Sequence, residues 1–95
     1  MQDSWGEART LLNIGLLFKQ KQQHDIALAA FLLAYHIFED IQSPYRDKVQ
    51  RQIDALHEEL GEQQFAQLRA HIEPQALSIL EQGLLEVSRD LSLNY

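Results

Sequence analysis

The stretch Ala27-Leu28-Ala29-Ala30-Phe31-Leu32-Leu33-Ala34-Tyr35-His36-Ile37-Phe38-Glu39-Asp40-Ile41-Gln42-Ser43-Pro44 decides how this chain folds. Ala27, Ala30, Phe31, Ala34, Ile37, Phe38 and Ile41 recur at spacings of three and four, the period of an α-helix with an apolar face. The alanines let a second helix come close, and Phe31 and Phe38 fill the space around that approach. Pro44 disfavours helical geometry at Ser43 and is itself preorganised for the first turn of another helix. Ser43 is a good N-cap. One helix therefore ends near Ile41 and the next begins at Pro44.

Working outward, the spacing predicts a first helix from about Ser4 to Lys21. Its apolar residues Ala8, Leu11, Leu12, Ile14, Leu16, Leu17 and Phe18 cover more than one face, as in a helix with neighbours on two sides. Asp3 or Ser4 can cap it, and Glu7 three residues after Ser4 suits a capping box. The turn falls near Gln22–His24, in a polar run without glycine. Downstream, Tyr45, Val49, Ile53, Leu56 and Leu60 make a narrow stripe on a third helix, 44–60, whose other faces are polar. Gly61 ends it. A short helix over about 62–71 buries Phe65 and Leu68. A fifth, 74–89, buries Ala76, Leu77, Leu80, Leu84 and Val87. Residues 90–95 read as a tail. The expectation is an all-α fold of about five helices in a single domain, 1–95.

Composition narrows the function. The chain has 95 residues, 45% of them hydrophobic, with a net charge of −6 and no cysteine. Disulfides, thiolate metal sites and a cysteine nucleophile are excluded. An acidic chain without a Lys/Arg-rich run does not suit nucleic acid. The longest nearly uncharged apolar run, Ile26 to Phe38, is too short to cross a bilayer, and no signal peptide precedes it. A cytoplasmic protein is expected. His36, Glu39 and Asp40 share a helical face, but zinc needs convergent ligands from separate elements. His57-Glu58-Glu59 lacks the second histidine of a zinc-protease helix. His24 reads as a packing residue and His71 as exposed. The serines occupy caps, helix faces and the tail, with no nucleophile elbow. No metal, no cofactor and no enzymatic activity are expected.

In order along the first two helices, Leu11, Ile14, Gly15, Phe18, Ala27, Phe31 and Ala34 match the pattern of the tetratricopeptide repeat. Gly15 and Ala27 are where two antiparallel helices touch; Phe18 and Phe31 pack around that contact; Ala34 admits the following repeat. The segment from Ala27 through Ile37-Phe38-Glu39 to Ser43-Pro44 resembles the long bacterial form of the repeat. A forty-residue offset relates Ser4-Trp5 to Pro44-Tyr45 and Gly15-Leu16 to Ala55-Leu56. The resemblance thus covers a hairpin at 3–42 and a degenerate second repeat from Pro44. It weakens over 62–89, where Leu60-Gly61-Glu62 and Phe65 are similar to the segment that closes such arrays.

The resemblance implies a protein–protein interaction or scaffolding module. Its alternative is a regulatory or oligomerisation segment of a larger bacterial signalling protein, an ATPase or a transcription regulator; a metal-binding helical bundle is a third. The family's ligand surface, the concave groove lined by the first helix of each repeat, maps here to Arg9, Leu12, Leu16, Lys19 and Gln20. With Leu12 and Leu16 in place of polar residues and Asn13 one position off, an apolar groove is implied rather than a clamp for a terminal carboxylate. Leu12 and Leu16 could equally pack against the fifth helix. Trp5 and Tyr45 either staple helix starts or anchor a partner. One and a half hairpins leave an apolar flank, to be covered by the fifth helix, by a second copy in a homodimer, or by upstream repeats, and the apolar first helix favours the last two. The partner is a protein or peptide of unknown identity.

Overall fold

The structure, a computed structural model, describes residues 3–93, with side chains to 89. Its elements are α1 (Ser4–Gln20), α2 (His24–Asp40), α3 (Tyr45–Leu60), α4 (Glu62–Ile72), a 3₁₀ turn at Glu73–Gln75, and α5 (Ala76–Leu93). The fold is all-helical.

Helix starts and stops follow from local chemistry. Asp3 caps α1: its Oδ1 accepts from the Gly6 amide at 3.0 Å. That leaves Ser4 inside the helix, so the capping box of Ser4 and Glu7 does not form. The break after α1 is made without glycine. Gln22 takes φ 60°, the Gln23 amide donates to the Phe18 carbonyl, and the Gln22 amide to the Lys19 carbonyl. This is the Schellman arrangement, normally built on a left-handed glycine. It recurs twenty residues later, with Gln42 at φ 55°, Ser43 donating to Phe38 and Gln42 to Glu39. Both anchoring carbonyls belong to fully buried phenylalanines. A left-handed non-glycine residue carries strain. Gln22→Gly is therefore expected to raise stability by about 0.5–1 kcal/mol, read as a higher urea midpoint with an unchanged slope. Ser43 Oγ accepts from the Tyr45 amide at 3.2 Å, closing the entry to α3. Gly61, at φ 86°, turns the chain into α4.

α2 is the centre of the molecule. Ile26 to Leu32, Ala34 and Phe38 are all buried, and α1, α3, α4 and α5 each pack against it. α1 meets it at Gly15, where a Cβ would overlap the Phe31 ring. α3 lies antiparallel to it along its length: the Phe38 and Tyr45 rings stack 5.5 Å apart at one end, and His24 Nε2 faces Glu59 Oε1 at 3.7 Å at the other. α5 meets it at Gly83, where a Cβ would come 2.8 Å from Ile26 Cδ1. Leu33 borders the same hollow as Ala76 and Leu77, so α5 also runs against the direction of α2.

Four expectations need correction. α4 and α5 are not separated by a loop. Pro74 sits inside a 3₁₀ turn, because a proline has no N–H to lose and its fixed φ suits a first helical turn. Residues 90–93 are not tail but the last turn of α5, since nothing after Gly83 breaks the helix; Asn94 and Tyr95 lie outside the described residues. The apolar flank of α2 is covered by α5 folding back, one of the three expected covers, although the apolar first helix favours the other two. Of the expected α5 core, Ala76 and Leu80 are buried, whereas Leu77 and Leu84 are 59% and 40% exposed.

Candidate binding groove

α1 and α3 both lie against α2 and run in the same direction, with a hollow of about 400 Å³ between them. α1 contributes Arg9, Leu12, Asn13 and Leu16; α3 contributes Tyr45, Lys48, Arg51 and Gln52. The α1 residues follow i, i+3, i+4, i+7 spacing and so share one helical face. The volume lies in the range of about 300–1,000 Å³ common to ligand clefts.

Direct contacts bridge α1 and α3 at two places along the hollow. At its start, Trp5 meets Tyr45 edge-on with ring centroids 5.3 Å apart. Farther along, Lys19 Nζ donates to Gln52 Oε1 at 3.2 Å. The Trp5–Tyr45 contact joins two positions related by the forty-residue offset. Arg9 lies over the Trp5 ring, 5.5 Å from its centroid, and Lys48 lies over Tyr45 at 4.5 Å. Each cation is thereby held in place by an aromatic face.

The expected site residues divide. Arg9 and Leu16 line the hollow, and Lys19 bridges to its far wall. Leu12 also lines it but is 8% exposed and part of the core. Gln20, the exposed last residue of α1, does not line it. Leu12 and Leu16 lie on the side of α1 that faces α3, while α5 packs on α2. The groove is not apolar. Asn13, one position off the family's clamp, lies on the lining, and α3 adds two cations. Lys48, Arg51 and Gln52 were missed because they read only as the polar side of α3; the forty-residue offset, which carries Leu12 onto Gln52, was the one available pointer.

Elsewhere, the packing residues Ala27, Phe31 and Ala34 are fully buried, Gly15 and Phe18 are buried, and Leu11 and Ile14 pack half-buried against the core. His24 is half-buried, His57 lies 4.4 Å from Phe65, and His36 and His71 are exposed. Among the described residues no three His, Asp or Glu side chains converge as a metal site, and no helix is long and apolar enough to cross a membrane. Compared with models of protein families, with curated proteins and with solved structures, the chain finds no match.

Proposed function

We propose that this chain is a protein–protein interaction module of the tetratricopeptide type, without catalytic activity, that seats an extended peptide in the groove between α1 and α3. The observation that carries the reading is this groove: two helices of like direction, laid side by side on a shared third, with a walled hollow between them. The close Gly15–Phe31 contact and the meeting of Trp5 with its forty-residue counterpart Tyr45 support the same reading, since stacked hairpins bring equivalent positions of successive repeats side by side.

Leu16 offers the cleanest test. It is half-buried and lines the groove, whereas Leu12 is core, so a charge at position 12 would confound binding with folding. Peptides selected on the whole protein from a random displayed library are expected to bind the wild type and to lose at least about tenfold in affinity on Leu16→Glu. Circular dichroism should keep the wild-type helix content, with only a modest fall in melting temperature, since Leu16 packs half-buried against the edge of the core. Selection of no peptide, or of peptides indifferent to Leu16→Glu, would remove the groove from consideration.

A further inference from the structure

Charge is distributed unevenly over this molecule. The chain carries 14 acidic residues against eight Lys and Arg. Yet the hollow between α1 and α3 is lined, among the described residues, by three cations, Arg9, Lys48 and Arg51, and by no carboxylate. A fourth cation, Lys19, bridges across it. Half of the positive charge of an acidic protein thus sits in or beside one groove. Among the described residues the ion pairs are His24–Glu59 and Arg69–Glu73, so no described carboxylate forms an ion pair with any of these four cations. Arg9 and Lys48 are instead steadied by Trp5 and Tyr45.

We infer that the groove selects a peptide segment bearing two or more side-chain carboxylates. This deepens the interaction reading above and rests on it. Charge complementarity decides the occupant: a concave surface of one sign attracts and orients the opposite sign, and the acidic remainder of the molecule turns away other anions that approach elsewhere. The positive charge is also spread rather than focused. Lys48 and Arg51 sit on successive turns of α3, and Arg9 faces them from α1. Such spacing suits several carboxylates along an extended chain better than one terminal carboxylate. Arg51 can take a carboxylate with two parallel hydrogen bonds, and Lys48 offers a point charge beside it. The Trp5–Tyr45 pair at the start of the groove supplies an apolar wall for a neighbouring aliphatic or aromatic side chain.

The test starts from the displayed-library selection on the whole protein. The recovered peptides are expected to carry clustered Asp or Glu. Synthetic copies with an amidated C-terminus should bind as well as the free acids, which separates side-chain from terminal carboxylates. Changing their Glu to Gln should weaken binding at least about tenfold, as should Arg51→Glu in the protein, while Arg51→Lys restores part of the loss. Affinity should fall as ionic strength rises from about 0.05 to about 0.5 M. Arg51 is exposed, so the melting temperature of these variants should match wild type.

Recovered peptides that are neutral or basic, or that ignore Arg51→Glu while still responding to Leu16→Glu, would overturn the inference and leave the groove standing. Affinity that vanishes on amidation would overturn it in favour of a single terminal carboxylate. Tighter binding of a single-stranded oligonucleotide than of any recovered peptide would overturn it in favour of nucleic acid. Peptides indifferent to both substitutions would remove the groove and the inference together.

Discussion

Replacing Phe31 by alanine is expected to destabilise the chain by about 3–5 kcal/mol, the usual cost of emptying a buried aromatic site. Phe31 is fully buried between α1 and α2, and its ring fills the space where a side chain at position 15 would project. That geometry makes the sign of a second substitution depend on the first. In the native background Gly15→Ala forces its methyl into the ring. The ring has no room to retreat, so overpacking should cost about 1–3 kcal/mol. In the Phe31→Ala background the obstacle is gone, and alanine gains its helix preference over glycine, about 1 kcal/mol. Gly15→Ala should then stabilise. Urea unfolding of the two single variants and the double variant measures the coupling as a thermodynamic cycle. Additive effects would mean that Gly15 is not the point where α1 and α2 touch.

Removing residues 62–95 is expected to abolish cooperative folding of what remains. α5 covers Ile26 through Gly83 and borders Leu33, and helical spacing places Ala30 between these on the same face. Phe65 of α4 packs beside His57 near the end of α3. Uncovering two or three such side chains at about 1.5–3 kcal/mol each costs an amount comparable with the whole stability of a small domain, about 5–15 kcal/mol. Far-ultraviolet circular dichroism should show reduced helix content, and calorimetry no single transition. A truncated chain that melts sharply near the parent temperature would show that α1, α2 and α3 form a self-sufficient unit and that α5 is an accessory.

The helices were legible in the sequence wherever burial imposes a period or a special residue marks an end. The stripe of α2, the stop at Gly61 and the boundary at Ser43-Pro44 are of this kind. So is the close contact at Gly15, because a glycine amid apolar helical positions has a packing reason. Gly83 carried the same signal, and it marks where α5 approaches α2. The junction at Pro74 misled because proline at a helix start and proline inside a continuous turn look alike in sequence. Gln22 and Gln42 gave no warning of left-handed geometry, which a tertiary anchor at Phe18 and Phe38 imposes on them. The α1 wall of the groove was half legible, through Arg9 and Leu16. The α3 wall was not, because periodicity reports which residues are hidden and says little about which exposed ones face each other across a gap. Lys48 and Arg51 become neighbours of Arg9 only once α1 and α3 are laid on α2.

The arrangement around α2 resembles a hub with spokes. Every other rod leans on it, while α1 has few contacts with α3, α4 or α5. A spoke can change the side it turns outward without changing how it leans, whereas nothing can alter the hub without disturbing every rod that rests on it. Evolutionary change is channelled accordingly. Residues 24–40 have little latitude, but the outward faces of α1 and α3 can be rewritten with no penalty to the frame, so such a molecule can trade one ligand for another while its skeleton stays the same.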